Sequence, residues 1–383
     1  MDPAVQLLRT LVAIDSVNPS LVPGAAGEAA IADAIAQHLR RIGLDVHVQD
    51  VAPGRPNVIG VLQGGAPGRS LMLCGHIDTV GVEGMRAPFD PVERDGRLYG
   101  RGAQDMKGGV AAMIDAARVI ATEGLAAGRL IVAAVVDEEY ESIGADALVR
   151  QWRADAAVVT EPTDMRIAIG HKGFAWFEVE TRGRAAHGSR PKDGRDAIMR
   201  MGRVLQRLEA LDRLLQAQPP HPLMGTASLH ASLIEGGREL SSYPDRCVLR
   251  LERRTVSGES DERVRRELDE ILEALRADDA EFEASMRSLF ARPSYEVPAA
   301  HELPRTLLRA LHSHADVDAG FCGMSFWTDA AVLGESGIPS VLFGPGGAGL
   351  HSIEEYVEVR DVLRCRDTLA ALAREWCGQP VSR

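Results

Sequence analysis

Lysine is almost missing from this chain of 383 residues, where only Lys107, Lys172 and Lys192 occur. No Gly-Lys-Ser or Gly-Lys-Thr exists, which excludes a phosphate-cradling P-loop. No GxGxxG opens a helix after a strand, so the dinucleotide-binding fingerprint is absent as well. Cysteine is sparse: Cys74, Cys247, Cys322, Cys365 and Cys377 are scattered, with no CxxC. An odd, unpatterned set points to reduced thiols in a cytoplasm and to a buried position for each. No apolar run approaches the ~18 residues that span a bilayer. Leu130–Val136 is typical of the longest. The opening MDPAVQLLRTLVAIDSVNPS has no basic stretch and is interrupted at Asp15, so no signal peptide is expected. Positive charge is in deficit too. A net charge of −12 disfavours nucleic acid and anionic membrane as partners.

Hydrophobic residues make up 45% and charged residues 26%, the balance of a folded globular chain. At roughly 100–200 residues per domain, two or three domains are expected. Apolar spacing predicts helices over Pro3–Ile14 and, closed by Gly43, Glu28–Ile42. Strand-like runs follow at Asp45–Val51, Asn57–Leu62 and Ser70–His76, separated by Gly/Pro clusters. Next come a helix at Gly108–Glu123, a doubly buried strand at Leu130–Val136, a helix at Ala145–Gln151 and a strand at Ala156–Val159. The alternation predicts an α/β domain whose mixed sheet is covered by helices on both faces.

Near residue 173 the pattern changes. Strand Phe174–Thr181, helix Asp193–Leu215, strands Ala227–Glu235 and Arg246–Arg254, helix Asp261–Arg276 and strand Ala280–Leu289 follow one another. That β-α-β-β-α-β order is ferredoxin-like. After Pro293 the α/β pattern resumes with helix Glu302–Ala315, strand Ser340–Phe343 and helix Val359–Trp376. The expected organisation is an α/β domain of residues 1–172 and 292–383 carrying an inserted α+β domain, 173–291.

Five segments place metal-ligand residue types beside turns. In Gly75-His76-Ile77-Asp78-Thr79-Val80, strand alternation sends His76 and Asp78 to one side. A metal-bound imidazole needs such a carboxylate to orient it, although a polar strand end reads the same way. Asp105 stands among four glycines between Gly100 and Gly109, which permits close backbone approach but also suits a helix N-cap. Asp137-Glu138-Glu139 follows a buried strand, where three carboxylates repel unless cations are near; a solvated acidic loop is the alternative. Glu161 stands before Pro162, as in many turns, and His351 follows the Gly-rich run 344–349. Together His76, Asp105, Glu138, Glu139, Glu161 and His351 give two imidazoles, several carboxylates and no thiol. That set suits Zn²⁺, Co²⁺ or Mn²⁺ in a two-metal site.

The ordered motifs GHIDTV, GRGAQDMKGG, DEE, EPT and GPGG…H resemble the M20 metallopeptidase and deacylase family. Its members include acetylornithine deacetylase, succinyl-diaminopimelate desuccinylase, aminoacylase and glutamate carboxypeptidase. The resemblance covers nearly the whole chain, including RGRAAHGSRP in the inserted segment. It implies two divalent metals, with Zn²⁺ first and Co²⁺ or Mn²⁺ as alternatives. His76 and Glu161 would bind one, Glu139 and His351 the other, and Asp105 would bridge them. Asp78 would orient His76, and Glu138 would be the general base. A cis peptide is implied at Asp105–Met106.

The resemblance also makes the inserted domain a lid and dimerisation domain. His187 would reach the partner subunit's site in a homodimer and stabilise an oxyanion. Arg254 resembles the lid arginine that holds a substrate carboxylate. Two positions depart from the family pattern: Ser241 stands where Asn is frequent, and Ser257 where Pro is usual. In that family the ligand at the position of Glu161 is Glu in the deacetylase, desuccinylase and aminoacylase branch and Asp in several peptidases, so the resemblance implies a deacylase of an N-acyl amino acid, of the acetylornithine deacetylase or desuccinylase kind. A dipeptidase or carboxypeptidase is the alternative. A non-catalytic small-molecule binding homologue is disfavoured by the intact ligand set.

Overall fold

The apolar run before Asp137 forms the strand Arg129–Val135, buried from Leu130 onward. In the computed structural model, which describes residues 1–314 and 320–379, this strand sits within a mixed sheet. Residues 315–319, with the end of the expected helix Glu302–Ala315, and residues 380–383 lie outside the described residues. Strands run in the order Asp45–Ala52, Arg55–Gln63, Arg129–Val135, Ser70–His76, Ala156–Val159, Ser340–Leu342, Ile167–His171. Ser70–His76 is parallel to both of its neighbours, and Ser340–Leu342 is parallel to Ala156–Val159. The outer pairs are antiparallel. The carboxyl ends of four parallel strands therefore lie along one edge, where open α/β sheets bind ligands.

Helices cover both faces. A Cβ on Gly60 would meet Leu39 of helix Ala29–Arg41. Asn57, three residues earlier and so on the opposite face, donates to the Gly144 carbonyl of helix Ile143–Gln151 at 2.8 Å. A second small sheet, absent from the sequence reading, joins Gly347–Ala348, Tyr356–Glu358, Arg97–Tyr99 and Val92–Arg94 in that order.

The described residues divide into two compact units. One comprises Met1–Ile169, Val297–Cys322 and Thr328–Arg383; the other comprises Gly170–Glu296 and Gly323–Trp327. In the second unit, strands Gly173–Arg182, Ser228–Gly236, Arg246–Thr255 and Glu283–Arg292 alternate with helices Ala197–Gln216 and Asp261–Asp278 in ferredoxin-like order. Its sheet is antiparallel throughout. Ala175, Phe177 and Val179 point to one face and pack with Val204, Leu208, Leu268 and Leu272 of the helices. The first helix begins at Ala197 rather than Asp193 because Asp196 caps it, accepting the Met199 N–H at 2.9 Å. Strand Ser228–Gly236 is an edge strand that exposes Leu233 (61%) and Ile234 (55%).

All five cysteines are free and buried. Among the described residues, no helix is long and apolar enough to cross a membrane.

Candidate metal centre

Three of the strand ends at the sheet's carboxyl edge deliver candidate ligands. His76 closes Ser70–His76, the pair Glu138 and Glu139 follows Arg129–Val135, and Glu161 follows Ala156–Val159. Small residues allow the crowding. A Cβ on Gly109 would lie 1.9 Å from the Thr160 carbonyl oxygen, and one on Gly344 would lie 2.3 Å from that of Glu161. Asp105 comes from the turn Ala103–Lys107, and its peptide bond to Met106 is cis.

Asp105 divides its carboxylate between two imidazoles. Oδ1 lies 3.0 Å from His76 Nε2, and Oδ2 lies 3.4 Å from His351 Nε2. Around His76 Nε2 stand Glu138 Oε2 at 3.9 Å and Glu161 Oε1 at 4.0 Å. Glu139 Oε2 is 3.1 Å from His351 Nε2. Two groups of ligand atoms lie within 4.8 Å of one another: His76, Asp105 and Glu139, and His76, Glu138 and Glu161. Geometry alone thus admits Glu138 as a ligand as readily as Glu139. His351 is 54% exposed at its side chain and has a positive φ of 56°, whereas the other ligand candidates are largely buried.

The His76 ring is fixed on its other side. Nδ1 lies 3.0 Å from the backbone carbonyl of Asp78, while the Asp78 carboxylate stands 3.6 Å away. That carboxylate instead accepts the N–H groups of Glu138 and Glu139, each at 3.2 Å, and the Asn18 side-chain amide at 2.8 Å. Behind it lies a buried network that the sequence reading missed. Arg55 Nε donates to Glu28 at 2.8 Å, and Arg55 Nη2 pairs with Asp137 at 2.8 Å.

The electrostatics fit bound cations. Burial pushes the Glu138 and Glu161 carboxyls well up, with neighbouring carboxylates adding to it. Burial and the Asp105 charge push Glu139 up to about 7. Burial also acts against Asp105, but hydrogen bonds from His351 and His76 outweigh it and hold Asp105 low. Hydrogen bonds to Asp105 and Glu139 lift His351 to about 10. Glu139 Oε1 and Glu161 Oε1 are buried with no hydrogen-bond partner. Orphaned buried carboxylate oxygens are costly, and an N/O donor set with excess negative charge suits divalent metal ions.

The structure brings together His76, Asp78, Asp105, Glu138, Glu139, Glu161 and His351. His187 and Arg254 belong to the other unit. His187 is exposed, and its Nδ1 is engaged locally, 2.8 Å from the Ser189 Oγ and 3.2 Å from the Ser189 backbone nitrogen. Its loop runs beside the departing segment: the Gly188 N–H donates to the Ser241 carbonyl at 2.6 Å. Arg254, 30% exposed at its side chain, donates from Nε to Glu252 at 2.6 Å and lies 5.5 Å from the Phe174 ring centroid. Glu252 is held in turn by the Trp176 indole N–H at 2.8 Å.

Comparison with known proteins finds the profile of peptidase family M20/M25/M40 over residues 72–375. Acetylornithine deacetylase of Myxococcus xanthus is 35% identical over 350 residues, covering 86% of this chain and 87% of that protein. N-formyl-4-amino-5-aminomethyl-2-methylpyrimidine deformylase of Bacillus subtilis is 29% identical over 411 residues, covering 98% and 95%. The crystal structure of a tripeptidase from Staphylococcus aureus superposes with a TM-score of 0.83 at 20% identity, covering 98% of both chains.

Proposed function

The chain belongs to peptidase family M20/M25/M40, a family of dinuclear metal hydrolases, and from that premise we propose that it removes a small acyl group from an N-acylated amino acid. That it is an amidohydrolase follows from the family; the substrate class is our reading. The observation that carries it is the Asp105 carboxylate shared between His76 and His351 with three glutamates around it. His76 and Glu161 would hold one ion, Glu139 and His351 the other, with Asp105 between them. Zn²⁺ is the first choice, and Co²⁺ or Mn²⁺ suit the same donors. When bound, such ions lower the pKa of water toward about 7 and polarise the scissile carbonyl.

The chain's own residues supply the remaining chemistry. Glu138, beside the ligands, takes the proton from the attacking water and returns it to the leaving amine nitrogen. The Asp78 carbonyl accepts from His76 Nδ1 and so leaves Nε2 free to face the ligand cluster. Arg254 would hold the substrate carboxylate through its Nη donors, oriented by Glu252. His187, with Nδ1 engaged by Ser189, would offer its Nε2 to the oxyanion. We place it in trans, across a homodimer formed through strand Ser228–Gly236. That edge strand exposes Leu233 and Ile234, and Met199 of the adjoining helix is 71% exposed, as expected of a surface that pairs with a second copy.

A small acyl group agrees with the two relatives, named a deacetylase and a deformylase. Glu161 in the ligand set favours the same branch. A hydrolysis panel with Zn²⁺, Co²⁺ and Mn²⁺ tests it, using N-acetylornithine, N-succinyl-diaminopimelate, other N-acyl amino acids and dipeptides. Turnover confined to dipeptides would replace the deacylase reading with a dipeptidase.

A further inference from the structure

Glu355 is 1% exposed and lies in the segment that follows His351. Its two carboxylate oxygens accept four hydrogen bonds. Oε1 takes the N–H groups of Gln104 at 2.9 Å and Asp105 at 3.1 Å. Oε2 takes the Gly102 N–H at 3.0 Å and Arg101 Nη1 at 2.6 Å. Arg101 is equally enclosed, 3% exposed, and its guanidinium makes a second contact to the His351 segment and one to a third segment. Nη2 donates to the Ser352 carbonyl at 2.9 Å, and Nε to the Gly81 carbonyl at 3.2 Å. The Gly100 N–H closes the arrangement on the Glu355 carbonyl at 3.1 Å.

One buried ion pair thus ties three segments that carry candidate ligands: the loop after His76 and Asp78, the turn bearing Asp105, and the loop bearing His351. The last two are about 250 residues apart in sequence and share no strand of the large sheet. His351 itself is half exposed with a positive φ, so its own packing does not fix it. We infer that Arg101 and Glu355 are positioning residues that hold the Asp105 turn and the His351 loop in register for metal binding before any metal arrives. A buried carboxylate with four donors is a strong anchor, and a guanidinium forks to carbonyls in fixed directions. The inference rests on the two-metal reading above.

The test begins with calorimetric metal titration of the stripped protein. Wild type is compared with the double variant Arg101→Met plus Glu355→Met, which removes the buried charges together but leaves the Gly102, Gln104 and Asp105 N–H groups without their acceptor, so its folding is checked first by circular dichroism. Glu355→Gln is the second variant, should the double variant fail to fold. The expected result is a folded variant whose metal affinity falls at least tenfold and whose kcat falls with KM little changed. Hydrogen exchange of the metal-free protein should show the Gly102, Gln104 and Asp105 amides exchanging at least tenfold faster. The Glu138 and Glu139 amides, which bond to Asp78, should be unchanged. A folded variant with wild-type metal affinity and wild-type exchange at those amides overturns the inference. A wild type that binds no divalent metal overturns the two-metal reading instead, and the exchange pattern then decides whether the pair sets the loops.

Discussion

Asp78 and Glu139 are joined by a hydrogen bond from the Glu139 N–H to Asp78 Oδ2 at 3.2 Å, and Glu138 makes the matching bond to Oδ1. The Asp78 carboxylate therefore acts on the tandem glutamates, while its backbone carbonyl serves His76. Asp78→Ala should lower metal affinity by about 10–100-fold, the usual cost of losing a supporting partner of a metal ligand. Because the loss would act through Glu138 and Glu139, kcat at saturating metal should also stay low. Recovery of full kcat on adding metal would limit Asp78 to a role in affinity.

The sequence showed the site to the extent that each ligand candidate announces itself locally. His76 closes a continuous apolar strand, Glu138, Glu139 and Glu161 follow others, and Asp105 stands in a glycine cluster. The α/β sheet and the β-α-β-β-α-β insert were legible for the same reason, since periods of 2 and 3.6 survive in long elements. What was illegible depends on contacts between remote segments. Glu355 is one glutamate of a Glu354-Glu355 pair in a turn-rich stretch, and its partners lie about 250 residues earlier. The small sheet that aligns those stretches uses strands of two or three residues, too short to show a period. Arg55 and Asn18 carried no motif, yet they brace Asp137 and Asp78 from behind.

Glu138 and Glu139 should separate in a metal-retention assay. Glu138→Ala should keep both ions and lose at least about 10²-fold in kcat, as expected for a missing general base. Glu139→Ala should lose metal. The geometry groups Glu138 with His76 and Glu161 as closely as it groups Glu139 with His76 and Asp105, so the result is informative either way. Metal loss on Glu138→Ala with Glu139→Ala retaining both ions would exchange the two roles.

Metal removal should abolish hydrolysis and lower the melting temperature together. The orphaned oxygens of Glu139 and Glu161 and the crowded carboxylates give the folded state alone a preformed site. A ligand at 100 times its Kd then adds about 2.7 kcal/mol of stability. Differential scanning calorimetry of chelated and reloaded protein checks this. Full activity in rigorously metal-free protein would defeat the two-metal chemistry.

Acid should weaken the protein through His171. Burial lowers this imidazole to about 4; Nδ1 is spent on the Lys172 carbonyl at 2.9 Å, and Nε2 is buried with no partner between the Tyr295 and Trp327 rings. The unfolded chain takes up the proton near 6.5, so the folded state binds it later. Stability is fully present above about pH 6.5 and drains away as pH falls toward 4, by roughly 3 kcal/mol at 1.36 kcal/mol per pH unit. Urea unfolding at pH 7, 5.5 and 4.5 should show the slope, and His171→Phe should flatten it. An unchanged slope in that variant would place the acid sensitivity elsewhere.

His187 provides the test of the trans arrangement. Ser189 engages Nδ1 through its hydroxyl at 2.8 Å and its backbone nitrogen at 3.2 Å, so Nε2 is the ring nitrogen left to face a substrate. A donor aimed at a developing oxyanion in a dry site contributes about 2.7–4 kcal/mol, or 10²–10³ in kcat. His187→Ala should therefore bind metal as wild type does, since no ligand candidate is touched, and hydrolyse about 10²-fold more slowly. If His187 serves the partner's site, an equal mixture of His187→Ala and Glu138→Ala should regain activity once subunits exchange. Each mixed dimer then holds one site with both Glu138 and a His187 from the other copy. Two copies of the same variant hold none, so the regain must track the fraction of heterodimer measured by native mass spectrometry. Subunit exchange without regained activity would place His187 in its own subunit's site, and a fully active His187→Ala would remove it from the chemistry. Disrupting the edge with Leu233→Asp and Ile234→Lys should yield monomers that keep both metals and lose activity to the same degree as His187→Ala.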